Sequence, residues 1–193
     1  MISAAFDPSY HTGWAHCAGD GTRPASGVWE LPRAASLRDL GPLKSRIAKL
    51  THALLTTREV KIVATEEPFQ SYGAKNSETQ IILWSIGGEI QRVCHDLGVE
   101  CIVVPPARWR GLFLGPGIWK RDVAKDLAVQ RCRDLDWPAV DDNAAEAVGL
   151  WAWLKSGNEV GWQNRVIPNI PSQNKTSEKW WADRRSVGAR IRA

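Results

Sequence analysis

The most constraining feature of this sequence is an apolar run near its start that ends in an acid. No charged side chain occurs between Ile2 and Phe6; Asp7 follows directly, and Pro8 to His11 then form a turn signal. A continuous apolar run bounded by turn residues is typical of a strand buried on both faces. A carboxylate there is costly to bury without a partner. Asp7 therefore either begins the turn, as Asp-Pro pairs favour, or joins other acids in a site.

Composition indicates one globular domain followed by a basic tail. The chain has 193 residues and a net charge of +4, and all of that excess lies in residues 157–193. We therefore predict a folded domain over 1–156 and a poorly structured basic tail over 157–193. The scattered cysteines suit reduced thiols rather than a zinc site or a disulfide framework. With neither a signal peptide nor a membrane span in view, we expect a cytoplasmic protein.

The order of elements predicts an α/β fold. After the first strand, strands near 12–18 and 25–31 complete an antiparallel meander. A helix is predicted from Leu37 to Thr57, with Ser36 as its N-cap. Strand, helix and strand follow at about 60–67, 77–97 and 99–104, which favours parallel βαβ units and a mixed sheet flanked by helices. Gly98 suits the end of the second helix. The Gly87-Gly88 pair inside that helix indicates close packing against a neighbour or a ligand.

The fourth strand also ends in carboxylates. Ile62, Ala64 and Glu66 share one face by alternation, while Glu67 lies on the other. Only one of the two glutamates can therefore face a site beside Asp7, and both remain candidates.

A basic segment follows the fifth strand. Residues 107–133 are rich in Lys and Arg, with Trp109, Phe113 and Trp119 interleaved, and 120–133 should be helical. Basic residues mixed with aromatic ones suit a surface that follows phosphates and stacks bases, although a solvated helix anchored by tryptophans is the plainer interpretation. The candidate nucleic-acid-binding residues are Arg108, Arg110, Lys120, Arg121 and Lys125.

A late helix carries the last set of acids. It begins near Val140, and Asp141 or Asp142 can cap it. Asp142 and Glu146 are four residues apart and Asn143 and Glu146 three apart, so each pair shares a face. Carboxylates brought together repel unless cations neutralise them, and hard oxygen ligands select Mg²⁺ or Mn²⁺. Two such ions about 4 Å apart can assist phosphodiester cleavage. From the residues alone, a metal site and unrelated acids remain alternatives.

The order of these motifs resembles the RNase H-like nucleases, and within them the RuvC-type Holliday junction resolvases, including phage or prophage kinds. The resemblance covers about residues 2–156. The matching segments are Phe6-Asp7-Pro8 with Thr12-Gly13-Trp14, Ala64 to Phe69, Val104-Pro105-Pro106 followed by Lys120-Arg121, and Asp142 to Ala147.

This resemblance implies a set of site residues. Asp7 and Glu66 would be metal ligands, and Glu146 would match the last acid of the family. The acid or histidine expected three residues earlier falls on Asn143, so either Asp142 supplies that carboxylate from the neighbouring position, which we favour, or Asn143 ligates weakly. Lys120 and Arg121 would lie near the scissile phosphate.

The implied activity is Mg²⁺-dependent hydrolysis with two ions, in which a homodimer resolves four-way DNA junctions by paired nicks that leave 5′-phosphates. Such an enzyme would act in DNA recombination and repair at the nucleoid. Alternatives are a nuclease for forks, flaps or RNA–DNA hybrids and a non-catalytic junction-binding protein. Actin-like ATPases share the fold core but need a duplicated domain that this chain is too short to contain.

Overall fold

A computed structural model describes residues 2–18, 22–34, 36–68, 77–117 and 119–158 of the chain. Within these ranges the strands and helices follow in the order β1 (Ser3–Asp7), β2 (His11–Ala18), β3 (Arg23–Glu30), α1 (Gly41–Thr57), β4 (Ile62–Glu66), α2 (Ser77–Asp96), β5 (Glu100–Val104), α3 (Pro106–Phe113), α4 (Arg121–Asp134) and α5 (Asp142–Asn158).

The strands form one mixed sheet with β1 at its centre. The five strands lie in the order β3-β2-β1-β4-β5. β1, β2 and β3 pair antiparallel, whereas β4 runs parallel to both β1 and β5. The predicted architecture, an antiparallel meander continued by βαβ units, is therefore confirmed.

Helices cover both faces of the sheet, as strand alternation requires. On one face, Ala5 and Ala64 pack with Trp109 of α3, Ala128 of α4 and Trp151 of α5. On the other face, Phe6 and Val63 pack with residues of α1 and α2, among them Leu43, Ile47, Ile86 and Ile90. Because β1 and β4 are covered on both sides, neither strand carries a charged residue before the acid at its end.

The start of α1 was predicted wrongly. The helix begins at Gly41 rather than Leu37, its N-cap is Leu40, and Ser36 does not cap it. The Ser36 hydroxyl instead accepts a hydrogen bond from the Arg38 backbone at 3.3 Å. Pro42 explains the difference, because a proline fits the first turn of a helix but would break a helix that had begun earlier.

Two further differences concern α3 and the glycine pair of α2. The fifth strand ends before Pro105-Pro106, but a helix that was not predicted, α3, begins at Pro106 with Trp109, Leu112 and Phe113 as its buried face. Close packing at Gly87-Gly88 is not found among the described residues. A Cβ on Gly88 would meet nothing within 4 Å, and one on Gly87 would lie at an ordinary 3.9 Å from Pro8 and Pro68.

Other predictions are confirmed or fall outside the described residues. Gly98 has a φ of +65°, as expected of a residue that ends a helix. The cysteines are free thiols, with Cys94 and Cys132 buried. No helix in the described ranges has both the length and the apolar character needed to cross a membrane. Residues 159–193 of the predicted tail are not described.

Candidate active site

Asp7 and Glu66 lie beside each other where two parallel strands end. β1 and β4 are in register from Ser3 opposite Ile62 to Phe6 opposite Thr65, so the next residues of the two strands are Asp7 and Glu66. Alternation places both side chains on the sheet face that α5 covers, two residues beyond Ala5 and Ala64. The carboxyl edge of parallel strands is where α/β proteins commonly bind ligands.

Gly13 allows α5 to approach this edge. Gly13 is the partner of Asp7 in the β1–β2 ladder. A Cβ added to Gly13 would lie 2.0 Å from the backbone oxygen of Asn143 and 2.5 Å from its carbonyl carbon, which no side chain could tolerate. The absence of a Cβ at Gly13 therefore lets the first turn of α5 lie directly on β2, next to Asp7 on the neighbouring strand.

A cleft of about 340 Å³ opens where these elements meet. Asp7, Glu66 and Glu146 line it, together with Asn143. Its remaining walls come from the β1–β2 turn, the end of β4, α2, and the starts of α3 and α4; they are Pro8, Ser9, Glu67, Pro68, Leu83, Pro106, Arg110, Trp119 and Arg121. Three of the four predicted catalytic carboxylates thus share one cavity, and Asp142 stands next to it on α5.

The two acids of α5 are paired with basic side chains. Arg110 donates to Glu146 Oε1 at 2.7 Å, and Lys125 Nζ lies 3.7 Å from Glu146 Oε2. Lys125 also donates to Asp142 Oδ2 and, at 3.3 Å, to Asn143 Oδ1. Glu146 is almost fully buried, whereas the Asp142 side chain is 40% exposed. Both predicted α5 ligands are therefore already charge-compensated.

The cap of α5 is Asp141, whose Oδ1 accepts the backbone N–H of Ala144 at 2.8 Å. This leaves the Asp142 side chain for Lys125. Asp142 and Asn143 were the alternatives for the remaining metal ligand. Asn143 lines the cleft, whereas Asp142 supplies a carboxylate beside it, and Lys125 donates hydrogen bonds to both.

Glu66 and Glu67 both line the cleft, and a hydrogen bond from Trp109 distinguishes Glu66. The indole N–H of Trp109 donates to Glu66 Oε2. Gly149 makes room for this ring, since a Cβ there would lie 2.6 Å from the Trp109 ring. The Arg110 guanidinium lies 5.2 Å from the centre of the same ring. Sequence reasoning missed this role because α3 was not predicted; the apolar spacing of Trp109, Leu112 and Phe113 was the available signal.

Electrostatics separate the strand acids from the helix acids. Burial, and then repulsion by Glu66 and Glu146, holds the pKa of Asp7 well above its usual value. Burial, followed by repulsion from Glu146, raises the pKa of Glu66 to about 7. Burial also acts to raise the pKa of Asp142, but the hydrogen bond and charge of Lys125 outweigh it and the pKa is lowered. Ionisation of the two strand acids is therefore costly without an added cation, whereas Lys125 already favours the ionised form of Asp142.

The predicted nucleic-acid-binding residues divide into two groups. Arg110 and Lys125 point at carboxylates. Arg121 is exposed and lines the cleft, while Arg108 and Lys120 are exposed on the start of α3 and just before α4. Trp119 also lines the cleft beside Arg121. The second group remains open to a phosphate backbone, and its role in binding stays a prediction.

The residues fit a hard divalent cation. The donors at the cleft are oxygens, as Mg²⁺ and Mn²⁺ prefer, and Asp7 and Glu66 form no ion pair within the described residues. Burial, and then repulsion from neighbouring acids, raises the pKa of both. No three Asp, Glu, His or Cys side chains among the described residues are already grouped as a metal site. The cause is that Glu146 and Asp142 face Arg110 and Lys125.

Comparison with solved structures gives the same arrangement of strands and helices. Thermus thermophilus RuvC in complex with a Holliday junction substrate superposes with a TM-score of 0.61 at 16% identity, covering 81% of this chain and 97% of that one. This chain has the RuvC fold. A second structure of Thermus thermophilus RuvC gives 0.59 at 17% identity, over 82% and 97% of the two chains.

A more distant match has the same fold. The yeast mitochondrial Holliday junction resolvase superposes with a TM-score of 0.51 at 9% identity over 86% of this chain and 80% of its own. No protein-family model matches the sequence, and no curated protein matches it significantly. The RuvC fold is therefore established by structure, and the chemistry must be argued from the cleft.

Proposed function

We propose that this protein is a metal-dependent, structure-selective endonuclease that resolves four-way DNA junctions by paired nicks leaving 5′-phosphates. The observation that carries the proposal is the meeting of Asp7, Glu66 and Glu146 in one cleft at the carboxyl edge of β1 and β4. Of the solved proteins with this fold, Thermus thermophilus RuvC is in complex with a Holliday junction substrate, and the yeast mitochondrial protein is a Holliday junction resolvase.

The residues of the cleft would have three roles: metal binding, orientation of a metal ligand and contact with DNA. Asp7 and Glu66 would hold Mg²⁺ or Mn²⁺, which supplies an activated water and stabilises negative charge on phosphate oxygens. Trp109 orients Glu66 through its N–H. Such outer-shell hydrogen bonds fix the direction of a ligand. Arg121 and Trp119 at the wall offer a positive charge and an aromatic ring to the strand that enters. The exposed Arg108 and Lys120 would bind phosphates farther along.

Paired nicks require two active sites, so we propose a homodimer. α2 supports this, because Ile81 and Trp84 on it are 45% and 41% exposed, and large apolar side chains at such a position suit a partner surface or junction bases. Light scattering on the purified protein measures the mass directly; a monomer at concentrations at which it cuts junctions would contradict the dimer.

The deciding experiment is cleavage of an end-labelled mobile four-way junction beside a fork, a plain duplex and an RNA–DNA hybrid. Each substrate is incubated with Mg²⁺, with EDTA, with the Asp7→Asn variant and with Asp39→Asn, an exposed control that does not line the cleft. We expect symmetric nicks on the junction alone, lost with EDTA and Asp7→Asn and retained with Asp39→Asn.

Other outcomes would change the assignment. Equal cutting of forks or hybrids would indicate a broader branched-nucleic-acid nuclease. Tight junction binding without cutting in Mg²⁺ or Mn²⁺ would contradict the enzyme and leave a junction-binding protein.

A further inference from the structure

Lys125 stands among oxygens that would otherwise attract a metal ion. Its ammonium donates to Asp142 Oδ2, lies 3.3 Å from Asn143 Oδ1 and lies 3.7 Å from Glu146 Oε2. All three acceptors belong to the first turns of α5, and the lysine reaches them from α4 with only 18% of its side chain exposed. The Lys125 ammonium is thus surrounded by three oxygens of one helix, as a bound metal ion would be.

A count of the charged groups shows which carboxylates have no cation beside them. The helix group contains two carboxylates, Asp142 and Glu146, and two cations, Lys125 and Arg110, that pair with them. Asn143 adds an oxygen without adding charge. The strand group contains two carboxylates, Asp7 and Glu66, and forms no ion pair within the described residues. One divalent cation would balance the strand group, whereas a second would have to displace a cation from the helix group.

We infer that Lys125 occupies the place of a second metal ion, so that the site takes one divalent cation, at Asp7 and Glu66. This inference rests on the proposed function, since it concerns the ion which that function requires. An ammonium and a divalent ion repel each other at a separation of a few ångströms in a partly buried site, so the two cannot share the oxygens of Asp142, Asn143 and Glu146. Asn143 is consistent with this, because its amide oxygen accepts from Lys125 at 3.3 Å without adding a charge for a second ion to neutralise.

The test counts bound Mn²⁺ ions per chain by electron paramagnetic resonance of the free ion, without DNA. The proteins are the full chain as it stands, Lys125→Met, the charge-preserving Lys125→Arg, and Lys44→Met, a matched control at an exposed position on α1. We expect one ion for the unmodified chain, Lys125→Arg and Lys44→Met. Lys125→Met should bind two, because Asp142 and Glu146 then lack a cation.

Each outcome decides the inference. Two ions on the unmodified chain, or one ion on a folded Lys125→Met with unchanged affinity, would overturn it while leaving the nuclease proposal standing. If Lys125→Met does not fold, Asn143→Asp in the otherwise unmodified chain is measured in its place. One bound ion on Asn143→Asp would support the inference. A second ion bound to it while Lys125 is present would overturn the inference. No bound ion on any protein would overturn both this inference and the proposed metal-dependent function.

Discussion

The two pairs of carboxylates in and beside the cleft belong to different elements and differ in charge state. Asp7, which is buried, and Glu66, which is half-buried, end the central strands, form no ion pair among the described residues and have raised pKa values. Asp142 and Glu146 belong to α5 and are paired with Lys125 and Arg110. The strand pair is therefore short of positive charge and the helix pair is not, which indicates where an added cation should bind.

The largest expected effect comes from separating the two pairs at Gly13. Gly13→Ala would place a Cβ 2.0 Å from the backbone oxygen of Asn143, so α5 must move away from β2. Overpacking of this kind commonly costs about 1–3 kcal/mol, and a contact with backbone belongs at the upper end. Chemical denaturation measures the loss. Gly88→Ala is the control, since its Cβ meets nothing within 4 Å and should stabilise α2 by up to about 1 kcal/mol. Equal stability of the two variants would contradict the account.

The next effect is a pH dependence of stability in the metal-free protein. The pKa of Glu66 is raised from 4.5 to about 7, so between these values the folded state keeps a proton that the unfolded state releases. The free energy of unfolding should therefore fall as pH rises from about 4.5 to 7, by at most about 3 kcal/mol. Thermal unfolding across this range measures the fall.

Glu66→Gln should remove the part of this pH-dependent fall in the free energy of unfolding that Glu66 causes. Glu30→Gln, at an exposed position on β3, is the matched control. Addition of Mg²⁺ should also flatten the curve for the unmodified protein, because a bound cation favours the ionised carboxyl. The same slope in Glu66→Gln as in the control would show that Glu66 is not short of positive charge.

The smallest expected effect comes from removing one hydrogen bond to the strand acids, the bond from Trp109 to Glu66. Trp109→Phe keeps a ring in the core but removes the N–H that Glu66 accepts. We expect about tenfold weaker Mn²⁺ binding by calorimetry and a loss of about 1 kcal/mol in stability. Trp14→Phe is the control, because the Trp14 indole N–H has no partner within the described residues. Unchanged Mn²⁺ affinity in Trp109→Phe would mean that the hydrogen bond does not orient a ligand.

Local pattern was sufficient to place acids at the ends of β1 and β4, although it left Glu66 and Glu67 as alternatives. The apolar runs before Asp7 and Glu66 fixed their depth, and alternation along β4 put Glu66 on the face of Ile62 and Ala64, where the structure has it. The resemblance of the motif order to RuvC-type nucleases predicted the fold that superposition then found.

Contacts between elements that are distant in the chain could not be predicted from the sequence. Lys125 and Arg110 appeared as phosphate-binding candidates, because nothing local shows that α4 and α3 aim them at acids of α5. Gly13 was visible within a motif, but its reason, the passage of the α5 backbone, is tertiary. α3 was missed because Pro105-Pro106 suggests an end, whereas Pro106 fits the first turn of a helix.

The most direct test of the central claim is a crystal of the protein soaked in Mn²⁺, with anomalous scattering used to locate the ion. The account predicts an anomalous peak in contact with the carboxylates of both Asp7 and Glu66, with Lys125 still bound to Asp142. A peak held by Asp142 and Glu146 alone, with Lys125 displaced and the strand pair empty, would contradict it.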